Sequence, residues 1–136
     1  MVARVIEVEL FDLVVFGATG DLAGRKLIPA LYQRCAGGQI PHGARVIGVS
    51  RRAMDDVAFR AMAHAALLAH VPAADRDEAA MARFLARLTY VAADADAEPG
   101  WPALAARLAE AEGRIRVFYL ATAPELFGPI CARLAA

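Results

Sequence analysis

Short runs of apolar residues alternate along this chain with longer stretches in which apolar positions recur every three or four residues. The first run, Leu10-Phe11-Asp12-Leu13-Val14-Val15-Phe16, is ended by Gly17. It predicts a parallel strand buried on both faces. From Leu22 to Ala36, Leu27, Leu31 and Cys35 repeat at helical spacing, Ile28 and Tyr32 widen the stripe, and Gly37-Gly38 stops it. Arg45-Val46-Ile47-Gly48-Val49 predicts a second strand. A helical pair follows, Asp55 to His70 and Asp75 to Leu88, divided at Val71-Pro72 because proline disfavours helix in the residue before it. Leu88 to Val91 predicts a third, weaker strand. Trp101 to Glu112 predicts a helix, begun near Pro99 and Pro102 and ended by Gly113. Ile115 to Leu120 predicts a fourth strand and Pro124 to Ala136 a last helix. This alternation is that of an α/β fold with a doubly wound parallel sheet. Right-handed crossovers place its strands in the order 3-2-1-4.

Composition adds limits. The 136 residues suit a single domain, 1-136. Fifteen basic and fifteen acidic side chains cancel, which argues against nucleic acid or an anionic membrane surface as the main partner. The N-terminus carries Glu7 and Glu9 rather than a basic run before an apolar core, and no stretch is long enough to span a bilayer. A cytoplasmic location is the default expectation. Cys35 and Cys131 are far apart and form no C-x-x-C pair, so two reduced, packed thiols are expected. His42, His64 and His70 show no metal-ligand spacing and are expected in a loop and on a helix.

The chemistry concentrates at two turns. Gly17-Ala18-Thr19-Gly20-Asp21-Leu22-Ala23-Gly24 lies where the first strand meets the first helix. Small residues there let backbone N–H groups approach a pyrophosphate, with the positive end of the helix behind them. Gly17 suits the tight turn, Gly20 the close approach, and Ala23 the position where helix and strand pack closely. Thr19 can add a hydroxyl bond, while Asp21 as a plain N-cap is the bland alternative. After the second strand comes Ser50-Arg51-Arg52, with no acid before Asp55. A Rossmann-type domain selecting NAD usually has Asp or Glu there for the ribose 2′-hydroxyl. A guanidinium suits a 2′-phosphate instead, and Ser50 could add a donor. The cofactor expected is NADP.

These segments resemble the glucose-6-phosphate dehydrogenase family. Gly17 to Pro29 matches its G-[AG]-[ST]-G-D-L-A turn and K-L-x-P, Ile47 to Arg51 its I-G-x-[AS]-R, and Tyr119 to Pro124 its Y-L-A-x-P-P. The resemblance implies that residues Gly17 to Gly24 wrap the pyrophosphate and Arg51 holds the 2′-phosphate of NADP. It implies that Tyr119 and Ala121 lie along the cofactor and that Lys26 faces the substrate cleft. The family usually has a basic residue at Gly24 and a proline at Ala123. Its R-x-D-H-Y-L-G-K-E and E-K-P-x-G segments, catalytic histidine and C-terminal substrate domain are expected to be absent here. Glucose 6-phosphate would then be a partner only with that domain present. The sequence supports binding and not catalysis by these residues alone.

Two other readings stand beside this one. A short-chain reductase can share the glycine turn, but it needs a Tyr-x-x-x-Lys pair, and Ala36, Asp94 and Ala123 stand four residues after Tyr32, Tyr90 and Tyr119. A non-catalytic nucleotide-binding module is the second. In the 3-2-1-4 order the fourth strand is an edge, with Val117, Phe118 and Leu120 suited to burial and Arg114 and Arg116 offering charged protection. Leu126, Phe127, Ile130 and Leu134 form an apolar stripe on the last helix, and a homo-oligomer is among the states this leaves open.

Overall fold

The computed structural model describes residues 10–41, 43–94, 100–111 and 113–135. The expectations placed on Glu7, Glu9, His42, Pro99, Glu112 and Ala136 lie outside those residues. Four parallel strands, β1 (Phe11–Phe16), β2 (Arg45–Ser50), β3 (Leu88–Ala92) and β4 (Ile115–Leu120), form one sheet in the order β3-β2-β1-β4. The expected strand order therefore holds. Crossovers are made by α1 (Ile28–Ala36), α2 (Asp56–His70), α3 (Glu78–Ala86) and α4 (Trp101–Ala109), and α5 (Phe127–Ala135) follows β4.

Alternation along the central strands divides the core in two. Leu13 and Val15 face α1, α2 and α3, where Tyr32, Phe59, Leu67 and Phe84 are buried with them. Val14, Phe16, Ile47 and Val49 face α4 and α5, against Leu104, Leu108 and Ile130. Each large side chain so buried contributes about 1.5 to 3 kcal/mol. Gly48 makes room for the first layer, since a Cβ there would lie 2.5 Å from the Phe59 ring.

Local boundaries differ from the periodicity in instructive ways. The first helix contains a π-helical turn, Ala23–Leu27, in which the Ile28 N–H bonds Ala23 O. Asp55 caps α2 from outside, its carboxylate accepting from Ala58 N at 2.8 Å. Pro72 leads into a 3₁₀ turn, Ala73–Asp75, and α3 starts only at Glu78. A similar turn, Pro124–Leu126, precedes α5.

One strand position defies its apolar run. Asp12 is wholly buried at the amino end of β1. Arg45 grips it with two bonds, Nε to Oδ1 at 2.9 Å and Nη2 to Oδ2 at 2.6 Å, and Arg114 Nη1 adds a third at 3.2 Å. Burial opposes ionisation of Asp12. The hydrogen bonds and charge of Arg45, joined by Arg114, outweigh it and hold the carboxyl below the usual carboxylate range.

Several side chains sit otherwise than expected. Val117 and Phe118 are exposed, not buried, because nothing among the described residues pairs with the outer edge of β4. Arg114 turns inward to Asp12 and Gly43 O and so does not guard that edge. Phe127 is exposed, whereas Ile130 is buried and Leu126 and Leu134 pack against the core. Both cysteines are free; Cys35 is half-buried against the core, but Cys131 is exposed rather than packed. No helix among the described residues is long and apolar enough to cross a membrane.

Candidate functional site

In a sheet ordered 3-2-1-4 the crossovers reverse direction between β1 and β4, and the carboxyl ends of those strands splay open a crevice. A cavity of about 590 Å³ lies there, within the range of small-molecule and cofactor sites. All four strand ends contribute to it: Phe16 and Gly17 from β1, Val49 to Arg52 from β2, Ala93 and Asp94 from β3, and Ala121 to Ala123 from β4.

The glycine turn forms its floor. Gly17 and Ala18 donate to Val49 O at 2.9 and 3.2 Å, extending the sheet into the loop. Gly17 then takes φ 79°, where an L side chain is strained. A Cβ on Gly17 would also lie 2.3 Å from Ala121 O, the carbonyl just beyond β4. The helix begins as Gly24 N–H bonds Gly20 O at 3.2 Å. The N–H groups of Asp21, Leu22 and Ala23 thus precede the first intrahelical bond and lack a helical acceptor. Gly20, which lines the cavity, sits at this positively polarised helix start, an arrangement that fits a phosphate group.

Gly17, Thr19, Gly20, Ser50, Arg51 and Ala121 meet around the cavity. The remaining expected residues do not. Ala18 and Ala23 are buried beneath the turn, serving helix–strand packing. Asp21 is exposed, paired with Arg25 at 3.4 Å and not capping the helix with its side chain. With Gly24 it borders a smaller cavity toward α2. Leu22 and Lys26 are exposed, and neither borders the main cavity. Tyr119 pairs with Val15 and is 40% exposed outside it. His64 and His70 are exposed on α2. No cluster of three potential metal ligands exists among the described residues.

Some contributors escaped the sequence reading. Asp94, Thr122 and Glu125 also line the cavity, beside Arg52, which the sequence had already set next to Arg51. Tyr90, buried on β3, brings its hydroxyl to the loop after β2: Ser50 Oγ lies at 2.5 Å and Ser50 O at 3.2 Å. Thr19 Oγ1 donates to Ser50 Oγ at 3.0 Å, tying the glycine turn to that loop. A tyrosine within an aliphatic strand was the one available sign, because a buried phenol requires a partner. Arg51 is exposed at the mouth, and its side chain has no partner among the described residues.

Comparison with known proteins agrees with this geometry. Residues 14–136 match the family model described as "Glucose-6-phosphate dehydrogenase, NAD binding domain". The chain is 50% identical over 130 residues to a glucose-6-phosphate 1-dehydrogenase of Gluconobacter oxydans, covering 94% of this chain and 27% of that protein. It is 44% identical over 134 residues to its counterpart in Rhizobium meliloti, covering 98% and 27%. The fold is similar to a solved glucose-6-phosphate dehydrogenase in complex with glucose-6-phosphate, with TM-score 0.83 at 26% identity over 95% of this chain and 28% of that one. The chain thus spans about a quarter of the length of the relatives it matches.

Proposed function

This chain belongs to the glucose-6-phosphate dehydrogenase family, matching its NAD-binding domain, and from that premise we propose that it holds NADP for the oxidation of glucose 6-phosphate to 6-phosphogluconolactone. The observation that carries the choice of cofactor is the exposed, unpartnered guanidinium of Arg51 at the mouth of the strand-end cavity. No acid stands between β2 and Asp55 to accept bonds from a ribose 2′-hydroxyl. Within the Gly17 to Gly24 turn, the cavity-lining Gly17, Thr19 and Gly20 cradle the pyrophosphate, Ala121 borders the cofactor beyond β4, and Arg51 meets the 2′-phosphate. NADP, when bound, supplies the hydride acceptor.

The proton of the sugar C1 hydroxyl goes to a base outside these residues. In support, the chain spans only 27% of the relatives it matches, and no histidine, the commonest general base, borders the cavity among the described residues. Residues 1–136 accordingly serve as one binding domain, with substrate contacts supplied largely from elsewhere in the protein and Lys26 reaching toward them from the first helix. A cytoplasmic setting suits this reaction.

The test is the cofactor preference of Arg51→Ala. A charge-assisted bond to phosphate is worth about 1.5 to 3 kcal/mol, so NADP should bind roughly ten- to hundredfold more weakly while NAD changes little. Titration of the wild type and variant with both cofactors measures it. Equal losses would show that Arg51 does not read the 2′-phosphate.

A further inference from the structure

We infer that Tyr90 is a positioning residue for cofactor selection, its buried hydroxyl clamping the loop that carries Arg51 from both sides. The inference rests on the reading of Arg51 given above and assigns the device that holds it.

The hydrogen bonds around Tyr90 can be counted proton by proton. A phenol has one proton to donate and lone pairs to accept. Tyr90 donates to Arg52 O at 2.5 Å, with Ser50 O a more distant second acceptor at 3.2 Å, so the bond to Ser50 Oγ uses the serine's own proton. The oxygen of Ser50 then accepts from Thr19 Oγ1 at 3.0 Å and from Arg52 N–H at 3.3 Å. One directed chain results, from Thr19 to Ser50 to Tyr90 to the Arg52 carbonyl. It grips the residue before Arg51 through its side chain and the residue after it through its backbone.

Two consequences follow. In this arrangement the hydroxyls of Thr19 and Ser50 bond to each other and to Tyr90, and so shape the loop. Arg51 meanwhile projects from a loop fixed on both flanks. An exposed arginine loses freedom when it binds, and a preordered backbone reduces that cost. The phenol itself is 4% exposed and its ring lies 5.2 Å from that of Phe59. Tyr90 therefore acts on the cofactor only through the loop.

Tyr90→Phe in the full-length protein keeps the ring and removes the clamp. Losing a neutral hydrogen bond corresponds to about a two- to tenfold change. The ratio of NADP to NAD affinity should fall by that factor, with NAD binding nearly unchanged. Combining Tyr90→Phe with Arg51→Ala should lower the ratio no further than Arg51→Ala alone. A purely structural role for Tyr90 would weaken both cofactors together and leave the ratio intact, which would overturn the inference. If Arg51→Ala lowers the ratio but Tyr90→Phe does not, the clamp fails while the reading of Arg51 survives. If Arg51→Ala leaves the ratio unchanged, both fail. Should Tyr90→Phe not fold, Ser50→Ala breaks the same chain at its middle and must both lower the ratio and speed amide exchange at Arg51 and Arg52 without cofactor, which loss of a direct phosphate donor would not do, or the inference is wrong.

Discussion

Gly17 and Gly20 share one turn but carry different constraints. At Gly17 the backbone is left-handed and an added methyl would strike the Ala121 carbonyl at 2.3 Å. Gly17→Ala should therefore cost about 3 kcal/mol, seen as a lowered thermal midpoint, through strain and forced separation of the β1 and β4 ends. A Cβ at Gly20 would meet only Gly17 O, at 3.2 Å. Gly20→Val should keep its circular dichroism spectrum yet lose dinucleotide binding, since a branched side chain would occupy the approach of the pyrophosphate. Retained binding in Gly20→Val would remove the phosphate cradle from the proposal. The glycine turn was legible in the sequence because backbone freedom belongs to the residue itself. The partners of Thr19 and Ser50 were not, since their hydroxyls are committed to each other and to Tyr90, which lies 40 residues beyond Ser50.

Among the elements, β1 joins opposite demands. Its carboxyl end serves the candidate site, while its amino end buries Asp12 between Arg45 of β2 and Arg114 just before β4. Periodicity marks the strand correctly but offers no account of a charge inside it. The aspartate becomes intelligible once the parallel register sets Asp12 beside Arg45. Because the pKa of Asp12 is lowered on folding, its contribution to stability is present above about pH 4, where a free aspartate titrates, and is lost as pH falls through the native value. Asp12→Asn should cost about 3 kcal/mol at neutral pH by removing the buried carboxylate that Arg45 and Arg114, both largely withdrawn from water, share, with Glu110 left as the remaining partner of Arg45. It should also flatten the loss of stability toward acid. Urea unfolding of both proteins from neutral pH to pH 3 checks this, and parallel curves would show that Asp12 carries no such linkage.

At the scale of the whole molecule, the two edge strands differ: β3 is mostly buried and β4 is not. β4 pairs with β1 along its length, yet Ile115, Val117, Phe118 and Tyr119 remain 38–49% exposed. Arg116, the cation left on this strand, turns one nitrogen toward Leu108 O at 3.3 Å. A largely apolar strand edge with a single arginine on it, partly engaged elsewhere, invites pairing with another strand. A purified chain of these 136 residues should accordingly self-associate as its concentration rises, measured by light scattering, with those amides of Val117 to Leu120 that point away from β1 exchanging rapidly in any monomer. A monomer at high concentration with those amides protected would show that the edge is covered.

What the sequence determined by itself was everything set by local backbone chemistry and by period. The strand and helix types, the parallel order and the tight turn at Gly17 follow from apolar runs, helical stripes and glycine, and the structure has each of them. Tertiary structure alone decided which distant side chains meet. Asp12 reaches residues 33 and 102 positions away, and the hydroxyl of Tyr90 closes on Ser50 and Arg52. It also decided that Val117 and Phe118 stay exposed, because burial depends on what lies across the sheet edge and not on the hydrophobicity of the strand. Hydrogen bonds and ion pairs of this kind depend on register and crossing geometry, which no single stretch of the chain contains.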